Sequence, residues 1–168
     1  MRRYSKVKLK GKKHLIFFHG EANSGKSTTL HALGRLLLAT SETYREDRIK
    51  TDSKGKKISV SDWRIYSSWS HINVFICTMG DAIGDVAKAI DDFANSGDDI
   101  AIVASRWNST LFANKCKNKC AAININTIIL HDVPCIKEIV PKDRKSYCFT
   151  TVRELYLHLV HLITTGIL

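Results

Sequence analysis

Leu15-Ile16-Phe17-Phe18 is an unbroken apolar run that stops at His19 and Gly20. A run this short predicts a buried strand, because a strand inside a parallel sheet is covered on both faces. From Lys26 to Ala39 the period changes. Leu30, Leu33, Leu37 and Leu38 recur at helical spacing, with Ala32, Leu36 and Ala39 also apolar, which predicts a helix. Residues 40–62 are polar and rich in turn formers. Ser53-Lys54-Gly55-Lys56 predicts a turn between short strands near 47–52 and 57–61, and Trp63 to Trp69 a further strand. Asn73 to Cys77 reads as a second buried strand. Asp81 to Asn95 reads as a helix with Ile83, Val86, Ala87, Ile90 and Phe93 on one stripe, capped by Gly97. Ile100 to Ala104 and Thr127 to Leu130 read as further strands. Thr151-Val152-Arg153-Glu154 fits a capping box ahead of a last helix bearing Leu155, Tyr156, Leu159, Val160 and Ile163. Strands alternating with helices predict an α/β fold, a three-layer sandwich with a mainly parallel sheet.

Between the first strand and the first helix lies Gly20-Glu21-Ala22-Asn23-Ser24-Gly25-Lys26-Ser27, a full match to G-x-x-x-x-G-K-[ST]. Each fixed position has a chemical reason. The glycines let successive N–H groups curl around an anion, and the start of the helix adds its positive dipole end. Lys26 reaches the β- and γ-phosphates, and the Ser27 hydroxyl ligates Mg²⁺. By this loop the chain resembles the P-loop NTPase superfamily. The resemblance implies the P-loop NTPase fold, Mg²⁺ and nucleotide binding, and a phosphate cradle made of residues 20–27 with Thr28. It does not choose among kinases, GTPases and ATPases. Glu21 either orients a water or is a free loop position.

P-loop proteins also place an acid at the end of an apolar strand to hold the metal. GTPases have D-x-x-G there; this chain has Cys77-Thr78-Met79-Gly80, so the glycine spacing survives and the acid does not. Either Asp81 takes the metal role beside Ser27, or Ser27 and nucleotide oxygens hold the metal alone. Asp81 also fits a helix N-cap. Asp85 is a weaker alternative, and Asp62 enters if its strand runs beside the loop. Guanine selection by N-K-x-D fails twice, at Asn114-Lys115-Cys116-Lys117 and at Asn118-Lys119-Cys120-Ala121, which favours ATP over GTP. Ser105 and Arg106 end a strand on the side where parallel sheets meet their ligands. Lys26, Asp81 and Arg106 are therefore the candidate catalytic residues. Residues 15–107 are similar to small bacterial ATP-binding P-loop proteins, which bring no known reaction with them.

Composition bounds these readings. The chain has 168 residues, 44% hydrophobic and 25% charged, enough for one packed domain and too apolar for a disordered chain. No apolar run approaches the length of a bilayer crossing, and no secretory signal is expected. The net charge is +10, of which Arg2, Arg3, Lys6, Lys8, Lys10, Lys12 and Lys13 supply +7. That predicts a basic arm over 1–14 ahead of a domain over 15–168. The arm is either a solvated terminus or a contact for nucleic acid or an acidic partner. One acidic partner is the patch of Asp81, Asp85, Asp91, Asp92, Asp98 and Asp99 on a second copy. Five cysteines predict free thiols in a reducing, cytoplasmic setting. A zinc site from Cys116, Cys120, Cys135 and Cys148 is the alternative. The seven histidines, His158 and His161 among them, show no metal spacing. Trp63, Tyr66 and Trp69 either stack a base or pack a hairpin. Lys115, Lys117, Lys119, Lys142, Arg144 and Lys145 read as two basic loops, a phosphate-clamping lid or plain surface. Three functions follow: an ATP hydrolase or phosphotransferase, a nucleotide-dependent switch with slow turnover, and a nucleic-acid-associated ATPase.

Overall fold

A computed structural model describes residues 13–20, 25–69, 72–106, 110–133, 151–157 and 159–161. In chain order the elements are β1 (Lys13–Gly20), α1 (Lys26–Leu38), β2 (Thr43–Thr51), β3 (Lys57–Trp69) and β4 (Ile72–Cys77). They continue with α2 (Ile83–Asn95), β5 (Ile100–Arg106), α3 (Thr110–Ala122) and β6 (Ile125–Val133). Residues 151–157 and 159–161 are helical. The six strands form one sheet in the order β2-β3-β4-β5-β1-β6.

The expectation of a mainly parallel sandwich is corrected. The sheet is mixed: β4, β5, β1 and β6 run parallel, whereas β2 pairs antiparallel with β3, and β3 with β4. The reason lies in the polar stretch after α1. It holds a tight turn at Asp52–Lys56, closed by Asp52 N donating to Lys56 O, with Gly55 at φ 81. A tight turn joins only antiparallel neighbours. The two strands expected at 57–61 and 63–69 are one, the 13-residue β3. β2 is the sheet's edge strand, and no residue on it is fully buried. Its polarity follows from that.

Burial explains the apolar runs. On β1, Ile16 and Phe18 join one cluster with Leu30, Leu33 and Leu37 of α1, Ile65, Val74, Ile76, Ile102 and the late helical residues Val152, Leu155 and Leu159. Leu15 and Phe17 join a second cluster with Phe75, Cys77, Val103, Val86, Ile90 and Phe93 of α2, and Cys116 and Cys120 of α3. Each face of the sheet thus has its own core. Ile163 lies outside the described residues.

Two helix boundaries differ from expectation. α2 begins at Ile83, with Ala82 as its N-cap and no side-chain cap, so Asp81 does not cap it. At its other end the cap is Ser96 in extended conformation, and Gly97 is not in the left-handed region. Lys13 instead satisfies the carbonyls there: its Nζ donates to Phe93 O (2.8 Å), Ser96 O (2.6 Å) and Asp98 O (2.9 Å). The last lysine counted with the arm is therefore a structural residue of β1. α3, where the sequence suggested a basic loop, is a helix with little apolar face. Cys116 and Cys120, one turn apart, are its buried residues among those whose side chains are described.

Gly80, just past β4, packs against the backbone of β5. A Cβ there would stand 1.8 Å from Ala104 O and 2.8 Å from Ser105 N. Backbone cannot move aside as a side chain can. Gly80→Ala is therefore expected to cost about 3 kcal/mol or more in denaturant unfolding. A loss below roughly 0.5 kcal/mol, the level of an ordinary surface substitution, would contradict this packing.

Candidate functional site

The carboxyl ends of β1, β4 and β5 gather at one edge of the sheet, where Gly20, Thr78 to Gly80 and Arg106 emerge. Ligands of α/β proteins sit at this edge. Residues 21–24 of the glycine loop, and with them Glu21, Ala22, Asn23 and Ser24, lie outside the described residues. The loop's two ends are described. Gly25 is the N-cap of α1 at φ 86, ψ 11, a left-handed conformation that suits glycine and strains other residues. No side chain caps α1 and its own first turn holds no acid. Lys26 is buried, and its Nζ donates to Gly20 O at 2.9 Å, so the ammonium reaches back to the end of β1. Thr28 is exposed.

Ser27 is held by residues from two other strands. Its Oγ lies 3.0 Å from Thr78 O and 3.2 Å from Asp62 Oδ1, with one proton to donate between them. Thr78 Oγ1 donates to the same Asp62 Oδ1 (2.9 Å) and accepts from Trp63 N (2.9 Å). Asp62 is 8% exposed, and among the described residues no cation pairs with it. A buried carboxylate without a counter-charge is costly, which makes Asp62 a fit for a cation arriving with a ligand. The β2–β3 ladder shifts register between Ile49 and Thr51, next to the Ile49–Asp62 pair.

The other candidates fall elsewhere. Asp81 is 72% exposed and faces Arg106, with Oδ1 3.8 Å from Nε. The two are brought together, at the same strand edge, but Ser27 bonds Asp62 and not Asp81. Asp85 is buried and accepts Ser53 N (2.8 Å), tying the β2–β3 turn to α2. Cys77 is buried, and burial pushes its thiol up to about 11, so it carries no charge where an acid was sought. Burial likewise lifts Cys116 to about 11 and Cys120 to about 12; both are free thiols. Cys135 and Cys148 lie outside the described residues, as do Lys142, Arg144, Lys145, His158 and arm residues 1–12. Among the described residues no group of three or more His, Cys, Asp or Glu could hold a metal. Mg²⁺ does not need one, since it takes few protein ligands and keeps waters or phosphate oxygens.

Three further expectations are resolved by contacts. Trp63 stacks on His31 of α1 (5.5 Å) and Tyr66 on Phe75 (5.2 Å), so both pack the sheet; the Trp69 side chain lies outside the described ones. Lys119 pairs with Asp91, and Arg64 with Asp92. With Asp99 accepting Asn73 N, most of the acidic patch is engaged within the chain. Sequence reasoning missed His19. Its Nδ1 lies 2.6 Å from Ser105 Oγ, both buried, joining the last turns of β1 and β5 beneath the loop. A polar residue directly before the first loop glycine was the available signal.

No protein-family model matches the chain, and no curated protein matches it significantly. Among the described residues no helix is long and apolar enough to cross a membrane.

The buried thiols give a pH dependence. The folded state keeps the Cys77 proton to about 11, whereas the unfolded chain releases it near 9.0. Stability from this group is complete below the lower value and declines as pH rises through the higher one. Unfolding measured from about pH 8 to about pH 10 should therefore shift the stability difference in favour of Cys77→Ala as pH rises. A pH-independent difference would contradict the burial of the thiol.

Proposed function

We propose that this chain binds a nucleoside triphosphate with Mg²⁺ through a phosphate loop of the P-loop type, ATP in preference to GTP. Hydrolysis or transfer of the γ-phosphoryl group follows. The observation that carries the reading is the hydroxyl of Ser27 set beside the uncompensated Asp62 carboxylate at the head of α1, directly after a left-handed Gly25 and a Lys26 that reaches back to Gly20 O. Strand β1 delivers the loop, α1 points its amino end at it, and the ammonium of Lys26 swings from Gly20 O to a phosphate oxygen. Ser27 is a metal ligand in this reading. Asp62 fixes Ser27 and would hold a water of the Mg²⁺, the role first sought at Asp81. When bound, Mg²⁺ would neutralise phosphate charge and orient the β- and γ-oxygens. Arg106, held by Asp81 at the same edge, supplies a cation for the transferring group.

The preference for ATP has support in α3. Both Asn-Lys runs that begin like a guanine-reading segment lie inside this helix, with Cys116 and Cys120 pointing into the core. The reading includes a reducing, cytoplasmic setting, which the free thiols Cys77, Cys116 and Cys120 support. A switch with slow turnover is the second reading. The direct Ser27–Asp62 bond must lengthen when a metal enters, and Asp62 sits on the strand that carries the hairpin.

Lys26→Ala is expected to abolish binding of a fluorescent ATP analogue, with the circular dichroism spectrum unchanged. Retained binding or turnover would overturn the assignment of the loop. Asp62→Asn should raise the Mg²⁺ concentration that half-saturates this binding by about 10- to 100-fold, the usual effect of losing a residue that orients a metal's ligands. An unchanged Mg²⁺ requirement, with Asp81→Asn shifting it instead, would return the metal role to Asp81.

A further inference from the structure

The β2–β3 hairpin carries charge that the fold does not use. Between 48 and 57 stand Arg48, Lys50, Lys54, Lys56 and Lys57, all exposed, and none has an ion-pair partner among the described residues. The acids nearby are engaged. Glu46 holds Arg35 and accepts from Tyr44 OH, and Asp47 holds Arg45. Asp52 Oδ1 accepts the backbone N–H groups of Lys54 and Lys56 and so shapes the turn. Elsewhere some cations are matched, Arg64 with Asp92 and Lys119 with Asp91, and others, Lys88, Lys115 and Lys117, have no ion-pair partner among the described residues; the hairpin differs in how many stand together. Five unmatched cations in ten residues are a cost in self-repulsion that a polyanion would relieve.

A groove runs beside them. It has a volume of about 190 Å³, and Arg48, Lys50, Arg64 and Lys88 line it together with Asp47 and Tyr66. A positively charged groove tracks the phosphate backbone of a single nucleic-acid strand; the Tyr66 ring, stacked on Phe75 and with the Arg45 guanidinium 4.4 Å from its centroid, is engaged within the chain and stacks no base. A lipid surface would need apolar side chains to insert beside the charge. Among its described side chains the hairpin offers none, since the exposed large hydrophobics among the described residues are Leu36, Leu38, Ile83, Ile123 and Leu157. The hairpin is also held rigidly in place. Ser53 N donates to Asp85 of α2 at 2.8 Å, so the turn is anchored at the sheet edge where the glycine loop lies.

We infer that the β2–β3 hairpin and its groove bind the backbone of a single-stranded nucleic acid, independently of the basic arm and of whether the loop binds nucleotide. Arg48, Lys50, Lys54, Lys56 and Lys57 neutralise phosphates. Arg64, Lys88 and Tyr66 line the path of the strand, and contacts to its phosphates fix its position without reading its sequence.

Fluorescence anisotropy of a short labelled single-stranded DNA of mixed sequence, titrated with the full chain at several salt concentrations, tests this. The fourfold variant Lys50→Gln, Lys54→Gln, Lys56→Gln, Lys57→Gln should bind at least about tenfold more weakly at low salt. Its log–log salt slope should be shallower by about 0.7 for each phosphate that the variant no longer neutralises. The matching fourfold Lys→Arg variant should bind like the wild type. Should the fourfold glutamine variant melt early, Lys56→Glu, an exposed turn position, gives the same readout with an expected several-fold loss. Wild-type affinity and slope in the glutamine variant would overturn the assignment and leave the arm as the binding element. Equal affinity for labelled polyglutamate would overturn it too, in favour of an acidic protein partner.

Discussion

One buried carboxylate holds together the parts that meet at the strand edge. Asp62 belongs to β3, Ser27 to the first turn of α1, and Thr78 to the chain just beyond β4. Its Oδ1 is within hydrogen-bond distance of both hydroxyls, and Thr78 fixes itself to Trp63 through donor and acceptor at once. The carboxylate accepts from hydroxyls and has no counter-charge among the described residues, so the arrangement is a structural clasp. It sets the position of the head of α1, and in the proposed function it also receives the metal. That double role is why Asp62 and not an exposed carboxylate such as Asp81 governs the site.

Around that clasp the sheet does two kinds of work. Its parallel part, β4, β5, β1 and β6, is covered on both faces where side chains are described, and brings strand ends together as a platform under the loop. Gly80 and the His19–Ser105 bond are features of this crowding: backbone against backbone at one point, two polar side chains locked below the loop at another. Its antiparallel part ends in β2, an edge strand that is polar, charged and in no residue fully buried, while β3 behind it buries Asp62, Ile65 and Ser67. Unmatched cations and a shallow groove are tolerated there because solvent screens them. A rigid, dry platform suits phosphate chemistry, whereas a wet, charged edge suits a long flexible anion.

Much of this was legible from the chain. Leu15 to Phe18, Asn73 to Cys77 and Ile100 to Ala104 read as buried strands because strands covered on both faces have no polar positions to spare. α1 and α2 read as helices because a one-sided core imposes a 3.6-residue period. The ends of the glycine loop lie where strand meets helix, as its motif requires. What failed has equally definite causes. α3 has little apolar face, so no periodicity announces it; its lysines face solvent, and Cys116 and Cys120 alone among its described side chains mark the core side. The carbonyls at the end of α2, which Ser96 caps, are also satisfied by Lys13, some eighty residues away, and local sequence cannot show so distant a donor.

By itself the sequence determined local matters: the strand and helix that flank the glycine loop, the apolar stripes, and the turn at Ser53 to Lys56. These rest on neighbours along the chain, on φ freedom at glycine and on side-chain period. Only the tertiary structure decided that the sheet is mixed, that Asp62 stands beside Ser27, and that Asp81 turns to Arg106. Those outcomes depend on which strand pairs with which and in which register. Pairing and register are set by the packing of all the elements together, and no local window of residues contains them.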